Sequence, residues 1–180
     1  CAGYQVTMID ISDEFVERGI STIEFSLGKL VEKGRMSQED ADAARERITT
    51  STENSSAQEA DLVIEAVPEI PDLKFSLFTE LDELCKSEAI LASNTSSISI
   101  NDIAGSTERP NNVIGMHFMN PVPIMRLVEI VVGNETDEEV TQAVMVVAER
   151  MGKTALCCND SPGFISNRLL CPMLNEAVLA

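Results

Sequence analysis

The amino-acid sequence predicts an α/β fold in which a mostly parallel sheet is covered by helices on both faces. Strand-like apolar runs alternate along the chain with segments whose apolar residues recur at helical spacing. The strand segments are continuously apolar, which is typical of strands buried on both faces. Hydrophobic residues make up 44% of the 180 residues, enough for a packed core.

Local sequence signals mark where the predicted helices and strands begin. Three features mark helix starts: Ser12 and Ser37 stand at N-cap positions, and Pro71 stands at a first helical position. Thr136 and Asp137 are expected to cap a later helix. Strands are predicted at 6–10, 48–51, 61–66, 89–94, 113–118, 125–132 and 153–158. Helices are predicted at 12–31, 38–47, 71–84, 98–104, 138–151 and from 164 onward.

Composition excludes several classes of partner and site. A net charge of −17, from 13 basic and 30 acidic residues, argues against nucleic acid and anionic membranes as partners. No apolar run approaches the length of a membrane span. The five cysteines form no Cys-x-x-Cys pair and the chain has one histidine, so we expect reduced thiols, a cytoplasmic location and no metal site.

The first strand ends in an acidic residue, Asp10, directly before a helix. A dinucleotide-binding fold places at this point the carboxylate that accepts hydrogen bonds from the ribose hydroxyls. A carboxylate there would repel a 2′-phosphate, which favours NAD over NADP. The glycine-rich phosphate loop is expected about 20 residues upstream, before Cys1, so we expect the chain to be a fragment.

His117 is the strongest candidate for chemistry because it can exchange a proton near neutral pH. It lies at the end of a predicted strand, before the turn Asn120-Pro121. If the turn at 121–123 reverses the chain, Glu129 on the next strand pairs with His117. A carboxylate beside an imidazole is the pairing used in general base catalysis.

Four polar segments follow predicted strands and are expected to line one cleft, since the carboxyl ends of parallel strands share an edge. Within the second of them, Ser96 has two interpretations: a hydrogen-bond donor to a substrate oxygen, or a nucleophile without the usual Gly-x-Ser-x-Gly turn. Ser97 is a candidate helix cap. The four segments are 65–69, 94–97, 117–120 and 159–161.

Five runs together resemble the L-3-hydroxyacyl-CoA dehydrogenase family, with the short-chain 3-hydroxybutyryl-CoA branch nearest. The resemblance covers nearly the whole chain, and the runs are specific in combination and in order. They are DLVIEAVPE at 61–69, SNTSS at 93–97, HFMNPV at 117–122, LVE at 127–129 and NDSPGFISNR at 159–168.

The resemblance implies a Rossmann-like NAD-binding domain over residues 1–160, lacking its first strand, and the start of an all-helical domain over 161–180. It also implies an NAD-dependent enzyme that interconverts 3-hydroxyacyl-CoA and 3-oxoacyl-CoA in fatty acid metabolism. The expected partners are an acyl-CoA substrate and a second copy of the chain, held through the helical domain.

The resemblance also implies a role for each site residue. His117 is the catalytic base with Glu129 as its charge partner, and Ser96 and Asn167 hydrogen-bond the substrate. The cofactor-binding residues implied are Asp10, Glu69, Lys74, Asn94, Ser96 and Asn120. The residues implied for coenzyme A are Ser26 and Lys33.

Two alternatives stay open. One is a dehydrogenase of the same fold that acts on a free sugar acid without coenzyme A. The other is a non-catalytic dinucleotide-binding or structural protein, which would not need His117, Glu129 and Ser96 together.

Overall fold

A computed structural model describes residues 2–180, and the chain divides between Glu59 and Ala60 into two compact units. These residues contain seven strands, six α-helices and two short 3₁₀ helices, and a helix separates each strand from the next except between the strands at 113–118 and 127–132. The predicted α/β class is confirmed, and every predicted helix and strand is present to within a few residues at its ends.

The first unit contains a two-stranded parallel sheet and two helices. Strand β1 (Val6–Ile9) pairs with β2 (Ile48–Ser51), with Val6 opposite Ile48. The Ser12 hydroxyl accepts the Phe15 N–H at 3.4 Å and the Ser37 hydroxyl accepts the Asp40 N–H at 3.0 Å, so both predicted caps are confirmed. The elements are β1 (Val6–Ile9), α1 (Asp13–Glu32), α2 (Gln38–Glu46) and β2 (Ile48–Ser51).

The second unit is built on a five-stranded sheet whose strands lie side by side in chain order: β3 (Leu62–Glu65), β4 (Ile90–Ser93), β5 (Val113–Phe118), β6 (Leu127–Val132) and β7 (Thr154–Asn159). Each neighbouring pair is parallel except β5 and β6, which are antiparallel. The helices are α3 (Pro71–Leu84), α4 (Ile100–Ala104), α5 (Glu138–Arg150) and α6 (Ser166–Leu179).

The reversal between β5 and β6 corrects one expectation. Because β7 is parallel to β6, it runs opposite to β3, β4 and β5, and its carboxyl end at Asn159 lies at the other edge of the sheet. The segment 159–161 therefore does not share the edge where β3, β4 and β5 end. Asp160 instead accepts hydrogen bonds from Ser99 and Asn101 at the start of α4.

A second correction concerns the start of α5. Asp137 is the N-cap residue, but its side chain makes no capping hydrogen bond. The Thr136 hydroxyl donates to the Val113 carbonyl at 2.7 Å and accepts the Gly133 N–H at 3.0 Å. Thr136 therefore ties the β6–α5 turn to β5, a contact between distant segments that helix-start patterns do not reveal.

The sheet of the second unit buries its apolar side chains against α5. Met116 and Ile130 on the sheet and Val144 on α5 are fully buried in one cluster. Helix α6 is different, because none of its residues is buried and several large apolar side chains are exposed. They include Leu169, Met173, Leu174 and Val178. No helix within residues 2–180 has the length and apolar character needed to cross a membrane.

Gly115 in the middle of β5 leaves space for the helix that packs above it. A Cβ atom at this position would lie 2.7 Å from the Val131 Cβ and 3.0 Å from the Ile100 Cδ1. We expect Gly115→Ala to destabilise the protein by about 1–3 kcal/mol, because the backbone must move to relieve the overlap. The measurement is the urea unfolding midpoint.

Gly28→Ala is the matched control, since a Cβ there meets nothing within 4 Å and Gly28 lies inside α1. Alanine is a better helix former than glycine by about 1 kcal/mol, so this variant should be at least as stable as wild type. Equal midpoints for the two variants would contradict the packing account.

Candidate active site

His117 and Glu129 form a buried pair across the antiparallel strands β5 and β6. The two residues stand opposite each other in the register, and the His117 Nδ1 lies 2.7 Å from the Glu129 Oε2. The histidine is 6% exposed and the glutamate is fully buried. The pairing predicted from the 121–123 turn is therefore confirmed.

The second carboxylate oxygen of Glu129 holds the start of α6. Its Oε1 accepts the N–H of Ile165 at 3.1 Å, the N–H of Ser166 at 2.7 Å and the Ser166 hydroxyl at 3.0 Å. Burial alone would raise the pKa of Glu129, but the hydrogen bonds from His117, Ser166 and Ile165 outweigh it and lower the pKa below its ordinary value. Glu129 is therefore a carboxylate at neutral pH.

An ionised Glu129 fixes the proton on the imidazole. A carboxylate can only accept, so the neutral ring of His117 must carry its hydrogen on Nδ1 and leave Nε2 bare. Within residues 2–180, no fully buried side-chain nitrogen or oxygen lacks a hydrogen-bond partner. Glu129 bonds Nδ1, and no described residue bonds Nε2. Nε2 is therefore not fully buried, and it is the ring nitrogen open to a ligand.

The turn before α6 brings an aromatic side chain against the histidine. Phe164 is buried, and its ring meets the His117 ring edge-to-face with the centroids 5.6 Å apart. Phe164 has φ 49°, the only non-glycine residue with positive φ in the described chain. Such a conformation is strained for a bulky residue and persists where surrounding contacts impose it. Here the contacts are those of Glu129 with the next two residues.

Ser96 and Asn167 are brought together in the lining of a cavity. The Asn167 Nδ2 donates to the Ser96 carbonyl at 3.3 Å. The cavity has a volume of about 520 Å³ and lies between the 96–97 turn and the first turns of α6. Its other lining residues are Ser97, Pro162, Gly163, Arg168, Cys171 and Pro172.

Lys74 and Glu65 form a buried ion pair, and the exposed Glu69 contacts the same ammonium. The Lys74 Nζ lies 2.5 Å from the Glu65 Oε1 and 3.3 Å from the Glu69 Oε2, and it donates to the Val67 carbonyl at 3.2 Å. Lys74 is 1% exposed. Its ammonium is thus surrounded by protein acceptors, which is how a buried charge is tolerated.

Glu69 also binds the turn that contains Ser96. Its Oε1 accepts from the Thr95 hydroxyl at 2.5 Å, the Ser96 N–H at 2.9 Å and the Ser97 N–H at 3.1 Å. Burial tends to raise the pKa of Glu69, but these hydrogen bonds and Lys74 lower it to about 2. Ser97 does not cap the next helix. Ser99 caps α4, while the Ser97 hydroxyl donates to Glu69.

The two candidate asparagines have different surroundings. Asn94 follows β4, and its side-chain oxygen accepts the Phe118 N–H at 2.9 Å, so it joins the ends of β4 and β5 next to His117. Asn120 is exposed in the turn after β5 and precedes the cis bond to Pro121. Asn94 is thus held beside the histidine, and Asn120 presents its side chain to solvent.

The remaining candidates lie in the first unit. Asp10 follows β1, is exposed, and caps its own turn by accepting the Ile11 N–H at 2.8 Å. The Ser26 hydroxyl donates to the Thr22 carbonyl within α1 at 2.9 Å. Lys33 is exposed at the C-terminal end of α1.

Cys157 and Cys158 on β7 are not activated nucleophiles. Burial, reinforced by Glu129, raises the pKa of Cys158 to about 11, and burial also raises the pKa of Cys157. Both thiols are therefore protonated at neutral pH. Within residues 2–180 there is also no group of three or more His, Cys, Asp or Glu placed to hold a metal ion.

Ser166, Phe164 and Thr95 are site residues that sequence reasoning missed. Ser166 lies 37 positions from Glu129, and Thr95 lies 26 positions from Glu69. No helical or strand periodicity in the sequence predicts contacts between residues this far apart. The available hint was the Pro162-Gly163 turn, which directs the chain back toward the sheet; Gly163 has φ 76° and no room for a Cβ beside the Arg168 N–H.

Comparison with known proteins identifies relatives over almost the entire chain. The model of the NAD-binding domain of 3-hydroxyacyl-CoA dehydrogenases matches residues 1–161. A probable 3-hydroxybutyryl-CoA dehydrogenase of Bacillus subtilis is 48% identical over 177 residues, which are 98% of this chain and 62% of that protein. A fatty acid oxidation complex subunit alpha of Colwellia psychrerythraea is 42% identical over 94% of this chain and 24% of its own length.

Solved structures similar to this chain also include a 3-hydroxybutyryl-CoA dehydrogenase. The (S)-3-hydroxybutyryl-CoA dehydrogenase from Ralstonia eutropha superposes with a TM-score of 0.95 at 43% identity, over 98% of this chain and 62% of that one. The chain thus spans about three fifths of the length of the 3-hydroxybutyryl-CoA dehydrogenases from Bacillus subtilis and Ralstonia eutropha.

The lowered pKa of Glu69 predicts a pH-dependent stability. Between the ordinary value of 4.5 and about 2, the unfolded chain binds a proton that the folded chain does not. The stabilisation by Glu69 is therefore complete above about pH 4.5 and is lost as the pH falls toward 2. Urea unfolding across this window should show a shallower pH dependence in Glu69→Gln than in wild type.

Glu83→Gln is the control, because Glu83 is an exposed glutamate of α3 outside this network. It should keep the wild-type slope. A Glu69→Gln slope equal to that of wild type would contradict the role assigned to these hydrogen bonds.

Proposed function

The chain belongs to the 3-hydroxyacyl-CoA dehydrogenase family, and we propose that the protein oxidises 3-hydroxyacyl-CoA thioesters with NAD and reduces 3-oxoacyl-CoA in the reverse direction. The proposed substrates are short, 3-hydroxybutyryl-CoA and acetoacetyl-CoA. The names of the relatives in Bacillus subtilis and Ralstonia eutropha support this choice. The cofactor of the family domain is NAD.

The observation on which this proposal rests is the orientation of His117 by Glu129. The carboxylate holds the hydrogen on Nδ1, so the bare Nε2 takes the proton of the 3-hydroxyl group. As the proton arrives, the imidazole becomes a cation, and the adjacent buried carboxylate stabilises that charge. In the reducing direction the same nitrogen returns the proton to the carbonyl oxygen.

The residues of the first unit fit one part of NAD. Asp10 presents an exposed carboxylate after a parallel strand, the position and chemistry that bind ribose hydroxyls in dinucleotide folds. When bound, NAD supplies the nicotinamide carbon that accepts the hydride from carbon 3 of the substrate. Asn94, held between β4 and β5, and the exposed Asn120 are proposed to face the nicotinamide side of the site.

Ser96 and Asn167 are proposed to bind the substrate. Both line the 520 Å³ cavity, and a hydroxyl and an amide there can donate hydrogen bonds to the reacting oxygen or to the thioester carbonyl. Ser26 and Lys33 are proposed to meet coenzyme A. An exposed ammonium suits phosphate groups on a chain with net charge −17.

The wider setting of the enzyme stays a prediction. The relative named as a fatty acid oxidation complex subunit supports a role in fatty acid metabolism. The homodimer and the cytoplasmic location follow only from the sequence expectations given above.

The decisive experiment is NADH oxidation by the full-length protein with acetoacetyl-CoA, followed at its absorbance band. We expect turnover with the thioester, and a drop of about 10²–10⁴-fold in kcat for His117→Gln, because general acid–base catalysis contributes about that factor. The NADH dissociation constant, measured by fluorescence titration, should remain within about twofold of wild type. The reason is that His117 is proposed to act in the transition state and not in ground-state binding of the cofactor.

Far-UV circular dichroism and the unfolding midpoint control for folding of the variant. A His117→Gln variant that turns over as fast as the wild type would refute the assignment of His117 as the base. Activity on a free sugar acid with none on acetoacetyl-CoA would refute the substrate class.

A further inference from the structure

The turn that presents Ser96 is held from both ends by carboxylates from other segments. Glu69, from the loop after β3, binds residues 95–97 at the start of the turn. Asp160, from the turn after β7, accepts the Ser99 hydroxyl at 2.6 Å and the Asn101 N–H at 2.9 Å. Ser96 therefore lies between two fixed points in a stretch without regular secondary structure.

The contact with Glu69 acts on Ser96 through the backbone. One oxygen, Oε1, accepts the backbone N–H groups of Ser96 and Ser97 and the hydroxyls of Thr95 and Ser97. The Ser96 hydroxyl makes no hydrogen bond to any residue within 2–180, and Ser96 is exposed at the cavity. The arrangement thus fixes the Cα of Ser96 and leaves its hydroxyl available to a ligand.

The other oxygen of Glu69 is directed at a buried cation. Lys74 is 1% exposed, and its ammonium contacts Glu65 at 2.5 Å and Glu69 at 3.3 Å. The Ser93 hydroxyl, at the end of β4, donates to the second oxygen of Glu65 at 2.6 Å and accepts the Thr95 N–H at 3.2 Å. Two chains of contacts therefore reach the Ser96 turn from Glu65 at the end of β3, one through Lys74 and Glu69 and the other through Ser93.

We propose that Glu69 is a positioning residue for Ser96, holding the 95–97 turn so that the Ser96 hydroxyl meets the substrate oxygen, and that Lys74 is the buried counter-charge that orients Glu69. This inference rests on the proposed function of the site. It assigns Glu69 and Lys74 a task different from the cofactor contact expected from the sequence. A displacement of the hydroxyl by about 1 Å is enough to cost about 10²-fold in rate.

A double-mutant cycle on the full-length protein tests the proposal. Glu69→Ala should lower kcat with acetoacetyl-CoA by about 10- to 100-fold and leave the NADH dissociation constant within about twofold of wild type. In a Ser96→Ala background the same substitution should cost less than about threefold, because the two residues act on one hydrogen bond. Glu69→Gln should retain more activity than Glu69→Ala, since an amide oxygen still accepts the two N–H groups.

Amide hydrogen exchange measures the anchoring without any activity. Exchange at the Ser96 and Ser97 amides should be about tenfold faster in Glu69→Ala than in wild type, while Glu83→Ala on the exposed side of α3 should leave it unchanged. Unchanged exchange at both amides would overturn the anchoring role.

The kinetic outcomes separate this inference from the proposed function. Additive losses in the cycle, or a weakened NADH affinity with kcat intact, would overturn the positioning role and favour direct cofactor contact. No turnover by the wild type would overturn the proposed function and the catalytic half of this inference together, and the exchange measurement would then decide the anchoring half alone.

Discussion

The candidate site depends on one buried carboxylate that serves two elements at once. Glu129 gives one oxygen to the imidazole of His117 and the other to the first residues of α6. Burial opposes the ionisation of Glu129, and the hydrogen bonds from both elements oppose that effect. Together they satisfy the carboxylate, and its negative charge also complements the positive end of the α6 helix dipole. The orientation of the histidine and the start of α6 are therefore linked through a single side chain.

A second carboxylate, Glu69, also contacts two elements at once. Lys74 is buried among Glu65, Glu69 and a backbone carbonyl, and Glu69 extends that network to the turn of Ser96. A chain with a net charge of −17 thus uses hydrogen-bonded carboxylates, buried in Glu129 and exposed in Glu69, to hold loops at the candidate site. Preorganised groups of this kind need no rearrangement when charge develops on a bound substrate. This account explains why several acidic residues near the cavity are buried or bonded to backbone N–H groups.

The sequence predicts elements well and contacts between elements less well. Helical spacing, apolar runs and the caps Ser12 and Ser37 are local signals, and the structure agrees with them. The His117–Glu129 pair was predictable because a proline-marked turn joins two adjacent strands. The position of 159–161 was predicted wrongly, since one antiparallel pair in the sheet reverses β7. The contacts of Ser166 and of Glu69 with the Ser96 turn could not be predicted, because they join segments that are distant in sequence and follow no period.

The most direct test of this account is the tautomer of the imidazole, read by nitrogen NMR on the full-length protein; His117 is the only histidine of the described chain, and a Glu129→Gln variant identifies its signals. With the ring neutral, the account predicts a hydrogen on Nδ1, bonded to the Glu129 carboxylate, and a bare Nε2. A neutral ring that carries its hydrogen on Nε2 would contradict it, because no base would then face the substrate.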